Sequence, residues 1–381
     1  MVNRYIIAEK RMEKENFVGL DHLRAVAILL VLLYHYQMFE HPAWVDSVGW
    51  IGWTGVDLFF VLSGFLISNQ LLQEISIHGT IRLKIFFTKR FFRIIPPYLF
   101  TLLLYFCFPV FREREALPPL WKFLSFTQNF GLDVINKGTF SHAWSLCIEE
   151  QFYLALPVLL LFLIRIRQIK YLKIIIVLLI ISTLLLRVFS WNEYVLPYMK
   201  TPDFWKKWYM NIYYPTYTRL DGLYIGVLIG GLFQSSTFKT IINRNGNLLV
   251  FTGIITIIFS LWFCRDAYSQ QASLFGFSLV AVSYGVLVTG AISGNSFLSR
   301  KSNMITTQLA ALSYSVYLSH KIVIHLVQLF LEKIKIPASY TPGLLICFTF
   351  CILAGLFYRY SLEKPSAAIK NKILKKLNRG Y

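Results

Sequence analysis

Arg24 and His35 stand eleven positions apart in LDHLRAVAILLVLLYHY, the first apolar run of the chain. Eleven steps of a helix return to within about 20° of the starting direction, so the two side chains share a face and lie roughly 16 Å apart along the axis. Ionisable groups inside a membrane-length apolar run are costly and mark functional sites by default. The pair reads as a guanidinium near one membrane surface and an imidazole deep in the run, the side chain best suited to moving a proton near neutral pH.

Further groups fall at the depth of His35. Asp57 lies one to two turns into the second apolar run, Glu149 about two turns into the fourth, Arg219 and Asp221 at the start of the sixth, and Tyr317 and His320 late in the ninth. Acid–base catalysis needs such groups to meet from different helices. Each also has a plainer reading: His35 as a hydrogen-bonded packing residue, Arg24 snorkelling to headgroups, Asp57 with Arg219 as a structural ion pair, Asp221 as a helix cap. Glu149 and Glu150 point about 100° apart on a helix, so one of them must face a cavity or a partner. His142 is read as a solvated boundary residue.

A second constellation lies in RLKIFFTKRFFRIIPPYLF, where Arg90 and Arg93 share a helix face just before Pro96 and Pro97. Such a basic stretch is an ordinary topology signal, and it is equally a clamp for a phosphate-bearing anion, for which arginine is geometrically suited. No glycine-rich phosphate loop accompanies it.

Positioning these groups falls to membrane helices. The 381 residues are 56% hydrophobic and 17% aromatic, with only 15% charged, and the mean hydropathy is +0.55. That balance predicts an all-α polytopic membrane protein, with about ten transmembrane helices around a membrane-embedded catalytic cavity. Apolar runs are placed at 21 to 39, 51 to 72, 94 to 111, 142 to 164, 172 to 190, 217 to 234, 248 to 264, 271 to 293, 304 to 331 and 342 to 362. With a cytoplasmic N-terminus, 25 of the 38 Lys and Arg fall on the inside and 11 outside, which favours a cytoplasmic (inner) membrane protein with both termini cytoplasmic. The net charge of +19 is then a topology signal rather than a nucleic-acid footprint. The five cysteines lack paired spacing, so neither a metal site nor a disulfide framework is expected. Segments 112–141 and 191–216, rich in Trp, Tyr and Pro, are expected to fold over the outer face as a lid. The organisation is a cytoplasmic segment 1–20, a transmembrane domain 21–365 and a basic cytoplasmic tail 366–381.

The chain resembles the acyltransferase-3 family of integral membrane acyltransferases along almost its whole length. The likeness rests on Arg-x10-His at Arg24 and His35, GVDLFFVLSGFLIS from Gly55 to Ser68, and KRFFRIIPPY with its Arg-x-x-Arg at Arg90 and Arg93. It continues through AWSLCIEEQFYLALP with Glu149, TRLDGLYIG from Thr218 and LSYSVYLSHKIV from Leu312; Cys147 departs from the small polar residue more usual in the family. The resemblance implies transfer of an acyl group, usually acetyl from cytoplasmic acetyl-CoA, to a hydroxyl of an extracytoplasmic glycan or lipid-linked glycan such as O-antigen, with membrane lipids as surroundings and no metal or nucleic acid. It implies that Arg90 and Arg93, with Arg24 and Ser63, hold the donor. His35 is then the general base with Glu149 orienting it, and Arg219 or Tyr317 stabilises the oxyanion, while Asp57, Asp221 and His320 complete the catalytic group. Direct transfer and an acetyl-histidine relay both fit. Some members carry an appended SGNH-type hydrolase domain, and this chain is expected to be of the stand-alone type.

Three alternatives remain on these residues. A transporter also uses intramembrane His, Glu and Arg, although no internal repeat is visible. A nonenzymatic polysaccharide-assembly partner or membrane sensor would use the basic loops for docking. Within the enzyme class, a succinyl or longer acyl donor is open.

Overall fold

A computed structural model describes residues 17–378. Residues 1–16 of the expected N-terminal segment and 379–381 of the tail lie outside the described residues. The chain forms α1 (Val18–Tyr36), α2 (Thr54–His78), α3 (Leu83–Cys107), α4 (Trp144–Arg165), α5 (Leu172–Ser190), α6 (Asp221–Phe233), α7 (Gly246–Phe263), α8 (Phe277–Ala291), α9 (Met304–Lys333) and α10 (Thr341–Tyr358), with short helices between them. No strand occurs among the described residues, and the protein is an all-α polytopic membrane protein.

Among the described residues nine helical segments are long and apolar enough to cross a membrane, one along each of these helices but one, with α8 counted from Ala272. The exception is α6, whose 13 residues span only about 20 Å against a hydrocarbon core of roughly 30 Å. The run expected at 217 to 234 is therefore not a full crossing by itself. Its chain bends by 105° into the helix Ser236–Arg244, and Ser235 caps that second helix by accepting from the Phe238 amide at 3.5 Å. A tenth crossing exists only if this bent pair counts as one.

Helix α3 begins at Leu83, so the basic stretch before position 94 is helical, and Pro96 and Pro97 lie inside the helix without ending it. At the other end of the chain, a wide turn over Arg359–Glu363 joins α10 directly to Lys364–Asn378, a basic helix that packs against α3. The tail region is thus docked from its start.

Close packing of α6 on α2 follows from Gly222, Gly226 and Gly230, spaced four apart on one helix face. A Cβ at Gly226 would sit 2.3 Å from the Val61 carbonyl oxygen and 2.5 Å from the Phe65 amide, and one at Gly230 would meet the Ser68 hydroxyl at 2.1 Å. Small residues at this spacing let membrane helices approach to backbone contact, where apolar burial alone gives little preference for one neighbour. The contact carries the N-terminal end of α6 to Asp57. Helix α1 runs between α2, α8 and α9, which buries His35 and leaves it about 6% exposed.

Candidate active site

Helix α1 delivers its two ionisable side chains to two different cavities. Arg24 lines the first, of about 120 Å³, together with Ser63, Arg90, Arg93, Glu149 and Glu150. His35 lines the second, of about 310 Å³, with His142 and Lys321. Val56 borders both, and Tyr317, on the wall of the first, donates its hydroxyl proton to the backbone carbonyl of His142 on the wall of the second.

Three guanidiniums face the first cavity from two helices. Arg24 of α1 donates to Asp21 at 3.4 Å. From α3, Arg90 sits with its guanidinium 5.2 Å from the ring centre of Tyr153, and Arg93 follows it at i+3. Several guanidiniums and a serine hydroxyl around one slot are suited to a polyanion, since each guanidinium offers a planar fork of donors to phosphate oxygens. The sequence-derived group Arg24, Ser63, Arg90 and Arg93 is brought together here.

Glu149 also belongs to this cavity, and the expectation that it orients His35 is not met. Its carboxylate accepts from Ser63 at 2.9 Å and from Tyr153 at 3.1 Å. Helix α4 starts at Trp144, so Glu149 lies about 7.5 Å further along the axis and rotated away from the chain that reaches His35. The residue of this segment that does reach His35 is His142, just ahead of the helix, with its ring centre 5.8 Å from that of His35 and 4.7 Å from that of His320.

His142 is buried rather than solvated, at about 1% exposure. Neither ring nitrogen has a partner in hydrogen-bond geometry, and the backbone of Leu318 lies beside the ring. His35 and His320 are directly bonded, Nδ1 to Nε2 at 3.1 Å. The proton positions follow from the acceptors around them. His320 Nδ1 is 2.7 Å from the Tyr317 carbonyl, which can only accept. Nδ1 of His320 therefore carries the proton, and its Nε2, in a neutral ring, offers a lone pair. The proton between the two rings then sits on His35 Nδ1, which also faces the Val31 carbonyl at 3.1 Å. A charged ring would leave an uncompensated cation in an apolar bundle, which is costly. This assignment leaves Nε2 of His35 unprotonated and free of hydrogen bonds, the form a general base needs. The histidines do not form a metal cage: among the described residues no group of three or more His, Cys, Asp or Glu has metal-binding arrangement.

Asp57, Arg219 and Asp221 stand behind the cavity wall. Arg219 donates to both carboxylate oxygens of Asp57, at 3.0 and 3.1 Å, and its guanidinium lies 3.9 Å from the ring centre of Phe277 and 4.7 Å from that of Tyr213. Asp221 opens α6, where the helix dipole favours a carboxylate, and its carboxylate accepts from Arg187 and, at 2.6 Å, from Ser278. These acids and bases pin α2, α5, α6 and α8 together, and Arg219 is not on the surface of either cavity described above. Tyr317 lines the first cavity, but its one hydroxyl proton goes to the His142 carbonyl, so at 2.6 Å Ser145 is the donor to its oxygen. Tyr317 thus has no proton left for an oxyanion, and Arg219, whose Nε and Nη1 have no hydrogen-bond partner, is held behind the cavity wall by Asp57.

Two cations line the His35 cavity, Arg114 and Lys321, the latter 3.3 Å from the Ser141 hydroxyl and 3.8 Å from Glu113. Lys321 and Arg187 are not among the residues expected from the sequence, and His142 is read there only as a solvated boundary residue. For Lys321 and Arg187 the signal was present, a basic residue inside an apolar run, the same signal that marks Arg24.

The two long connecting segments roof this cavity, as expected of a lid. Arg114, Val134 and Ile135 line it from one, and Trp205, Tyr209 and Tyr213 from the other. They are tied to each other by Lys206 with Asp133 at 3.1 Å and by Asn129, which donates to the Tyr214 carbonyl at 3.1 Å and to Thr216 at 2.9 Å.

The chain belongs to the acyltransferase-3 family, whose model, described as an acyltransferase domain, matches residues 17–358. It is 30% identical over 376 residues to the peptidoglycan O-acetyltransferase OatA of Listeria monocytogenes, a match covering 93% of this chain and 56% of that protein. It is 29% identical over 385 residues to the O-acetyltransferase OatA of Staphylococcus aureus, covering 93% of this chain and 58% of the relative. The chain thus spans a little over half the length of these relatives. No solved structure matches it.

Proposed function

We propose that this protein is a membrane O-acyltransferase that moves an acetyl group from cytoplasmic acetyl-CoA, held in the arginine-lined cavity, to a hydroxyl of a cell-surface glycan entering the roofed cavity. The observation that carries the reading is a histidine with an unprotonated Nε2 on the wall of one cavity, next to a second cavity fitted for a polyanion, with Val56 common to both. Family membership and the names of the relatives support acyl transfer. The relative named as acting on peptidoglycan makes that glycan the first acceptor to try.

In this reading Arg24, Arg90, Arg93 and Ser63 bind the donor's phosphates at the cytoplasmic end. Lys370 of the helix Lys364–Asn378, within electrostatic range of Lys89 and Arg93, extends the same positive group. Glu149 braces the site through Ser63 and Tyr153. The thioester carbonyl reaches the barrier near Val56. His35 Nε2 takes the proton of the acceptor hydroxyl as its oxygen attacks that carbonyl, and the C–S bond breaks as the tetrahedral intermediate collapses. The thiolate leaves with the proton from His35, which restores the neutral ring. Lys321 supplies positive charge on the same cavity surface for the developing oxyanion.

Reconstitution in sealed vesicles tests the reading. Labelled acetyl-CoA supplied at the cytoplasmic face should place label on glycan at the opposite face, with release of one free thiol per acetyl group. Passage of donor or acceptor without a covalent product would contradict it.

A further inference from the structure

The His35 cavity does not end at the roof. A neighbouring cavity of about 280 Å³ contains Trp208, Tyr268, Arg265 and Asp266, and Tyr34, Trp53, Tyr209 and Tyr213 line both. The shared wall makes one cleft that starts at His35 and continues toward Trp50 and Tyr268, which are exposed. Its rings advance in short steps. Tyr34 lies 5.6 Å from His35 between ring centres, Trp208 lies 5.0 Å from Tyr209, and Tyr268 lies 4.9 Å from Trp208. The hydroxyls of Tyr34 and Tyr268 flank that of Tyr209 at 3.5 and 3.3 Å.

We propose that this outer part of the cleft is a sugar subsite, which holds the neighbouring unit of a glycan chain whose reacting unit presents its hydroxyl to His35. This rests on the acceptor assignment made above. A pyranose has an apolar C–H face and an edge of hydroxyls, and the cleft offers the complement of both. Flat aromatic faces cover the first, while a row of phenol hydroxyls, each donor and acceptor, with Gln37, Arg265 and Asp266 at the margin, meets the second. A lipid tail would match the rings but offer nothing to the remaining hydrogen-bonding capacity of the hydroxyl row or to the charges of Arg265 and Asp266. Continuity with the His35 cavity requires the occupant to be the same molecule as the acceptor, hence an oligomer rather than a single sugar.

Binding of β-1,4-linked N-acetylglucosamine and glucose oligomers of one, two and four units, measured calorimetrically on the purified protein, tests this. At least one series should bind tighter from one unit to two, and Trp50→Ala and Tyr268→Ala should each remove about five- to tenfold of that gain while leaving the single sugar unchanged, as expected for one lost stacking contact. Tyr268→Phe separates the ring from the hydroxyl and should keep most of the gain. Binding independent of oligomer length, or equal losses for one unit and four, would overturn the subsite, as would variants that change only the affinity for a lipid-linked carrier. Length-dependent binding without any acetyl transfer would leave the subsite standing and sink the transferase reading instead.

Discussion

Nε2 of His320 on α9 stands 3.1 Å from Nδ1 of His35 on α1, and the far nitrogen of His320 is held by the Tyr317 carbonyl. His320 thereby acts through His35: it sets which nitrogen of His35 carries the proton. His320→Gln retains an acceptor for His35 Nδ1–H, whereas His320→Leu removes it. We expect the Leu variant to lose on the order of 10²-fold in turnover, with donor KM unchanged and Gln restoring much of the loss. Nitrogen-15 chemical shifts of His35 report the tautomer directly, with Nε2 unprotonated in the native protein and mixed in His320→Leu. Equal activity of the two variants would show that the contact is only packing.

Arg90→Ala and Arg93→Ala should raise the KM for acetyl-CoA about 10- to 100-fold each, the worth of a charged hydrogen bond, and change turnover at saturation little. Glu149→Gln should group with them, because its carboxylate is bonded to Ser63 and Tyr153 in the same cavity. Steady-state kinetics with varied donor decides the matter. A Glu149→Gln variant that loses turnover alone would return this residue to His35.

Arg187 and Asp221 form a buried pair across α5 and α6, away from both cavities. Replacing one partner leaves a charge stranded, at a cost of about 3–5 kcal/mol. Asp221→Asn and Arg187→Leu should therefore lower the melting temperature in detergent and the yield of folded protein, while the surviving folded fraction keeps its donor KM.

Gly226 offers a test of the fold that does not touch charge. A Cβ there would strike the backbone of α2 at Val61 and Phe65. Gly226→Ala should destabilise the protein by about 1–3 kcal/mol as α6 is pushed off α2, read as earlier thermal unfolding. Gly231, with no atom nearer than 3.9 Å to an added Cβ, should tolerate the same change.

Much of this arrangement was legible in the residues. Arg24 and His35 gave the two-ended layout, because helical spacing converts eleven residues into a shared face and a known rise. Depth was readable in the same way, and it brought His320 to His35. Rotation was not. Knowing that Glu149 and His35 lie in related layers does not say which face of α4 meets α1, and that face is set by packing between helices far apart in sequence. The same limit hid His142, which a boundary position made look solvated before the two roofing segments closed over it. Asp57 with Arg219 forms the ion pair that was the plainer of their two readings; Asp221 instead meets Arg187, a lone charge visible in LLLRVFS within the fifth apolar run. The short α6 was missed because Arg219 and Leu220 break the helical path in a run whose apolar character continues.

The central claim is that Nε2 of His35 takes the proton of the acceptor hydroxyl. Single-turnover acetyl transfer by purified, folded His35→Ala protein, preloaded with labelled acetyl-CoA and mixed with glycan, measures it most directly. The transfer rate should fall about 10²- to 10⁴-fold with donor affinity unchanged, since the proposed donor site is the cavity of Arg24, Arg90 and Arg93. An undiminished rate in this variant would contradict the claim.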